Sequence, residues 1–263
     1  MSLRVFAMAR LLLCSLWFFC ASALAAEETT DAPLHFCNSH WPPYSYGDAN
    51  GRAVGGYAVD FMKEIFARTG RPVRLSILLW LRCLKMAERG DVDGIMLLTA
   101  SEERKQFLIM TSPLLSDANV FWYRRDNPRA QERLAFEELR GLRIGVVAGF
   151  NYGEAFNRAV TEYGLILDEA PSILSNFRRL DRNWIDVFPV NRLAADYALH
   201  NHSSLRSRFI AFNGPFEAVG FRLGLAKTGR AAGLIAPINE AINSMREDGS
   251  VERILRQVPF EYR

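Results

Sequence analysis

The sequence predicts an α/β fold, and three observations carry the prediction. Short apolar runs alternate with amphipathic stretches of helical period. Gly-Asp and Asn-Pro turn signals punctuate them. The strand–helix alternation also resumes beyond a polar, turn-rich break at Asp126-Asn127-Pro128-Arg129. In the first half the order β-α-β-α-β implies a parallel sheet with helices on both faces.

Each element has its own warrant. Leu34-His35-Phe36-Cys37 reads as a strand, and Trp41-Pro42-Pro43-Tyr44 as a turn, because two prolines withdraw donors that a strand needs. Tyr57 to Arg68 is an amphipathic helix with Val59, Phe61, Met62, Ile65 and Phe66 on one side. Val73, Leu75, Ile77 and Leu79 alternate as a strand; Leu81 to Glu88 returns to helix and Gly90 ends it. Val92 to Leu98 is an apolar run of the kind buried in parallel sheets. Ser101-Glu102-Glu103 then starts a helix, a capping serine with acids in the first turn. Beyond the break come a strand at 142–147, a turn at 148–152 and a helix from Glu154 to Tyr163. A strand from Trp184 to Phe188, a helix from Leu193 to Leu199 and a strand from Ala218 to Ala226 follow. A helix from Ala231 to Met245, the turn Glu247-Asp248-Gly249 and a short helix from Val251 close the chain.

Residues 1–25 read as a cleaved export signal. Arg4 and Arg10 precede or interrupt an apolar stretch reaching Leu24, and Ala23-Leu24-Ala25 gives the small-x-small cleavage pattern. Neither Cys14 nor Cys20 has the small preceding residue of a lipid-anchoring site. Cleavage removes Arg4 and Arg10 and no acid, leaving 30 basic against 29 acidic residues. So even a balance gives no electrostatic case for nucleic acid or an anionic membrane, and no second apolar run is long enough to span a bilayer. Cys37 and Cys83 remain. In an exported chain they are a disulfide candidate, with two separately buried thiols as the alternative.

Arg104 stands just past the carboxyl end of the 92–98 strand, where open α/β sheets bind ligands, and a guanidinium fork suits a carboxylate. The alternative is a surface arginine paired with Glu103 or Asp91. No Ser-His-Asp set, metal-ligand cluster or phosphate loop is visible. The histidines lie at 35, 40, 200 and 202, so no metal or cofactor is expected.

Several segments occur in a telling order: Trp41-Pro42-Pro43-Tyr44, Gly55-Gly56-Tyr57-Ala58-Val59-Asp60, Glu88-Arg89-Gly90-Asp91-Val92-Asp93-Gly94 and Thr99 to Pro113. Leu139-Arg140-Gly141-Leu142-Arg143-Ile144-Gly145-Val146, Trp184-Ile185-Asp186-Val187, Asn239-Glu240-Ala241-Ile242 and Asp248-Gly249-Ser250 continue it. Together they make nearly the whole mature chain resemble the bacterial extracellular solute-binding proteins of family 3, periplasmic receptors for polar amino acids that serve ABC transporters. The resemblance implies a periplasmic-binding-protein-like fold, two α/β lobes joined by two crossing strands with a ligand cleft between them. Lobe one would be 26–116 plus 222–263 and lobe two 120–218. The crossings would fall near Asn119-Val120-Phe121-Trp122 and Val219-Gly220-Phe221, able to absorb domain closure.

The resemblance also implies roles. Arg104 would pair with a ligand carboxylate, supported by Thr99, with Leu98 in the same set. Trp41 and Trp80 would lay indoles against the ligand, core packing being the alternative. Phe150, Asn151 and Tyr152 belong to a loop whose amides would meet the ligand at a helix start; a plain N-cap is the alternative for Asn151. Asn191 stands where the family usually places an aspartate for the α-ammonium, and Leu97 where it often has glycine, which puts a standard α-amino acid in doubt. The implied function is capture of a small carboxylate-bearing solute, an amino acid or derivative, by a monomeric periplasmic protein that delivers it to an inner-membrane ABC permease. Two alternatives stand beside it. One is a dehydratase-like enzyme on the same fold, with Glu217, Glu154 or His40 as weak acid–base candidates. The other is an accessory protein presenting ligand to a membrane receptor.

Overall fold

The computed structural model describes residues 32–130 and 135–257. The expected signal segment 1–25 lies outside them. The first half comprises β1 (Leu34–Asn38), β2 (Tyr46–Gly47), β3 (Ala53–Gly55), α1 (Tyr57–Thr69), β4 (Val73–Ile77) and α2 (Trp80–Arg89). It continues through β5 (Gly94–Thr99), α3 (Glu102–Phe107), β6 (Leu108–Met110) and β7 (Leu115–Asp117). The second half comprises β8 (Val120–Arg124), β9 (Arg143–Val147), α4 (Glu154–Tyr163), β10 (Ile166–Ala170), α5 (Ile173–Asp181) and β11 (Phe188–Val190). After it come α6 (Arg192–Leu199), α7 (Ser203–Arg206), β12 (Phe209–Asn213), β13 (Val219–Ala226), α8 (Ile235–Glu247) and α9 (Ser250–Arg256).

One sheet runs β4-β1-β5-β13-β6, with β7 also paired to β13. It is mixed rather than wholly parallel. β4, β1 and β5 run together, but β13 returns antiparallel to β5, β6 and β7, because it arrives from the second half rather than through a helical crossover. In the second half β9 pairs with β10 in parallel and touches the start of β11 through an Ile144–Val187 bridge; β11-β8-β12 form an antiparallel group. Phe36, Phe61, Met62 and Ile65 pack beside the first sheet, and Phe121, Tyr123, Ile144 and Phe156 within the second half. The chain passes between the two groups twice, from β7 through Ala118-Asn119 into β8, and from β12 through residues 214–218 into β13.

Three expectations need correction. The strand expected at 184–188 is displaced to Phe188–Val190. The Asp186 carboxylate accepts the Arg143 backbone N–H (2.8 Å) and pairs with its guanidinium, while Ile185 is buried and Trp184 is 53% exposed. The strand expected to reach Leu79 stops at Ile77. Leu78 N–H donates to Asn38 O and Leu79 becomes the exposed N-cap of α2. The helix expected from Ala231 opens as a 3-10 turn, Ala232–Leu234, and is α-helical only from Ile235, which leaves Pro237 in a first turn where its missing N–H costs nothing. β10 and α5 had no counterpart in the sequence reading. Cys37 and Cys83 are joined by a disulfide (S–S 2.03 Å) that ties β1 to the first turn of α2.

Candidate functional site

The carboxyl end of β5, the start of α2, the loop after β9, the start of α6 and the two connections between the groups surround one cleft of about 730 Å³, counting its open mouth. Trp41, Trp80, Leu98, Thr99 and Arg104 line it from the first half, and Phe150, Asn151, Tyr152 and Asn191 from the second. All nine sequence-predicted residues thus face one space.

Local sequence builds the Arg104 corner. Ser101 caps α3, its Oγ accepting the Arg104 backbone N–H at 3.2 Å, and this tight start turns the Arg104 side chain back across the end of β5. Nη1 donates to Thr99 O (2.8 Å) and Thr99 Oγ1 (3.1 Å), Nη2 to Gly149 O (3.1 Å). The guanidinium lies 5.3 Å from the Trp80 ring centroid and the residue is 6% exposed. Every acceptor is neutral, and among the described residues no carboxylate lies within 4 Å. The surface pairing with Glu103 or Asp91 is therefore not what the structure contains. Burial pushes the guanidinium down to about 10, with Glu103 opposing, so it is charged at neutral pH.

The second half reaches this corner through its β9–α4 loop. Gly149, at φ +72°, turns its carbonyl toward two donors, Arg104 Nη2 and Trp80 Nε1 (2.8 Å). That positive φ, which L side chains rarely adopt, is what favours glycine in the turn. The loop was expected to offer amides. It also turns this carbonyl toward the cleft, and its Phe150 N–H is given to Val147 O. Asn151 is not the N-cap of α4; Gly153 is. Its Oδ1 accepts the Gly153 N–H (3.0 Å) while Nδ2 donates across the cleft to Thr99 Oγ1 and Ala100 O, both 3.0 Å. Tyr152 Oη accepts the Val147 N–H at 2.7 Å, which fixes the ring beneath the loop.

The aromatic wall is shared between packing and cleft. Trp41 stacks on Tyr44 (centroids 4.1 Å) and meets Phe221 and Phe150 at 5.4 and 6.0 Å. Its Nε1 is buried with no partner among the described residues. Asn191 caps α6, Oδ1 accepting the Ala194 N–H at 2.8 Å. Asp117 also lines the cleft and was missed by sequence reasoning. Its Oδ2 accepts the Tyr44 O–H (2.9 Å) and its Oδ1 the Ala118 N–H (2.8 Å). Burial and the adjacent Asp117 charge hold the Tyr44 phenol well above its ordinary value. The available signal was an acid placed immediately before the expected crossing. Of the weak acid–base candidates, exposed Glu217 lines the cleft; Glu154, paired with Arg158, and His40 do not. Among the described residues no cluster of His, Cys, Asp or Glu could hold a metal.

The profile of the bacterial extracellular solute-binding proteins, family 3, matches residues 36–259, and the chain belongs to that family. Solved structures share the fold. A histidine kinase sensor domain with similarity to periplasmic binding proteins is 22% identical, TM-score 0.74, covering 87% of this chain and 96% of its own. An ancestral arginine-binding protein bound to arginine is 18% identical, TM-score 0.73, covering 87% and 99%. The arginine-, lysine-, histidine-binding protein ArtJ from Geobacillus stearothermophilus is 16% identical, TM-score 0.71, covering 86% and 94%. No curated protein matches the chain.

Proposed function

We propose that this protein captures a small carboxylate-bearing solute, an amino acid or a derivative of one, in its interlobe cleft and hands it to an ABC-type permease of the inner membrane. The lobes are those expected from the sequence, with the protein acting as a periplasmic monomer. One observation carries the reading: Arg104 is a buried cation at the carboxyl end of a sheet strand, held only by neutral acceptors. A buried charge without a counter-charge is costly, and a ligand carboxylate relieves that cost with a charge-assisted, fork-shaped contact. Trp41, Trp80 and Phe150 give the body of the solute apolar walls, and Asn151 clasps the two sides over it. The likeness to amino-acid-binding proteins of the same fold supports this ligand class.

The test is a thermal-shift and calorimetric screen of amino acids, their derivatives and simple carboxylates. A ligand at a hundredfold its dissociation constant adds about 2.7 kcal/mol of stability. Recovery of the bound compound unchanged supports a receptor, and its consumption would favour the dehydratase-like alternative. The likeness to a sensor domain carries a second reading, presentation of the same solute to a signalling receptor. Loss of solute uptake on deletion supports the permease partner; intact uptake with a lost response supports the receptor.

A further inference from the structure

We propose that Asp117, oriented by Tyr44, is the cation subsite of this cleft, so that the captured solute carries a positively charged nitrogen as well as its carboxylate. This rests on the reading of Arg104 as the carboxylate anchor.

Asp117 ends β7, at the point where the chain leaves the first sheet. Both carboxylate oxygens are fixed from the protein side, Oδ1 by the Ala118 N–H at 2.8 Å and Oδ2 by the Tyr44 O–H at 2.9 Å. The phenol is a rigid donor. Tyr44 is 1% exposed, and its ring stacks on Trp41 and on Phe221, centroids 4.1 and 5.9 Å apart. Two donors leave an ionised carboxylate with lone pairs to spare. Among the described residues no lysine, arginine or histidine nitrogen lies within 4 Å to use them.

The ionisable lining of the cleft makes the same point. Among the described residues its cation is Arg104 alone, while its acids are Asp117 and, at the exposed rim, Glu217. A carboxylate-only solute would satisfy Arg104 and leave both acids without a counter-charge. A solute bearing a carboxylate and a cationic nitrogen complements both charges. Trp41 and Phe221, both stacked on Tyr44, are aromatic walls of the same cleft, a lining that suits a cation. Position 191 is poorly placed for the same task. The Asn191 Oδ1 is held by the Ala194 N–H and lies 3.4 Å from the Tyr44 hydroxyl, so its acceptor is already engaged as a helix cap. The charge that the neutral amide at 191 lacks is thus supplied from the first sheet rather than from α6.

The experiment is calorimetry on the folded full chain with matched pairs of probes: L-phenylalanine against 3-phenylpropionate, and L-leucine against 4-methylpentanoate. The readout is the ratio of affinities for the amino and deaminated members. The parent should prefer the amino member, and Asp117→Asn should cut that preference at least tenfold, the scale of one lost charge-assisted contact. Tyr44→Phe, which leaves the carboxylate but removes its orienting donor, should cut it by a smaller factor. Unfolding midpoints show that each variant is folded. An undiminished preference in Asp117→Asn overturns the proposal while leaving the carboxylate receptor intact. So does a parent that prefers the deaminated acids, or a preference that rises only with Asn191→Asp. If neither member of either pair binds and the wider carboxylate panel is equally silent, the receptor reading itself fails and takes this one with it.

Discussion

In one corner of the cleft, Thr99, Ser101 and Arg104 lie within six consecutive residues and bond to one another over three and five positions. In a second, Tyr44 reaches Asp117 across 73 positions and Asn191 across 147. The first arrangement follows from local rules, a buried strand that ends, a serine that caps and an arginine folded back over both. The second joins residues far apart in sequence, Tyr44 after β1, Asp117 at the end of β7 and Asn191 at the start of α6 in the other group. A binding corner made locally is cheap to encode and can be read from a motif. One made by topology cannot, even when its residues are as ordinary as a tyrosine and an aspartate.

The sharpest way to break this contrast is to cut the tether beneath the local corner. The disulfide spans 46 positions and joins β1 to the helix that begins with Trp80. On chain-entropy grounds its loss costs about 4 kcal/mol of stability. The double variant Cys37→Ala/Cys83→Ala should unfold at clearly lower denaturant than the parent. Its affinity for carboxylates should also fall, because Trp80 loses its anchor. Equal midpoints would show that packing around Cys37 and Cys83 holds α2 in place without the bond.

Next in size is Arg104 itself. Burial that lowers its pKa from 12.5 to about 10 corresponds to about 3 kcal/mol of folding stability given up at neutral pH. The sign follows from the unfolded chain holding the proton more tightly, so the cost is present below about 10 and fades above it. Arg104→Met should weaken carboxylate binding by about a hundredfold. It should leave the unfolding midpoint of the ligand-free protein level or raised, the mark of a functional group maintained against stability. A fall in both would make Arg104 a structural residue and erase the difference between the two corners.

Asn151 separates contact from closure. Its side chain makes two bonds across the cleft, to Thr99 Oγ1 and Ala100 O, while its neighbours form the wall. Asn151→Ala should weaken binding by about tenfold, chiefly through faster dissociation. A change in association alone would show that the clasp is not part of the bound state.

The alternation of strand and helix was legible because burial imposes period 2 or 3.6 directly on the sequence. β1, α1, α2, β5, β9, α4 and β13 follow it closely. The edge strand β10 was not, since its run Ile166-Leu167-Asp168-Glu169-Ala170 is mostly exposed and carries no alternation. The mixed sense of the first sheet was hidden too, because β13 joins β5 from more than a hundred positions away. In the cleft, Arg104 and Thr99 could be read from their own neighbourhood. For Asn151 the plain N-cap stood as an alternative, and that role falls to Gly153 two residues on, while its side chain bonds across the cleft. Asp117 left no local trace beyond its charge.

The smallest expected effect separates the cleft from the sheet that supports it. His35, on β1, receives a hydrogen bond from Arg74 Nη2 at Nδ1 (2.9 Å) and donates from Nε2 to Ser76 Oγ (2.8 Å), a neutral ring far in sequence from the site. Burial, then the Arg74 charge, lowers its pKa below 6.5 against an opposing pull from Asp93; burial lowers His40 likewise. The unfolded chain therefore binds more protons just below pH 6.5. Stability from these groups is complete above about 6.5 and is lost as pH falls through the folded-state values. Arg104 is charged across that whole range. Between pH 8 and pH 5 the unfolding midpoint should decline, less steeply in His35→Gln, while Arg104-dependent affinity for a simple carboxylate stays level. If affinity declines in step with stability, the anion corner draws on the first sheet for more than position, and the two corners of the cleft differ less than their construction implies.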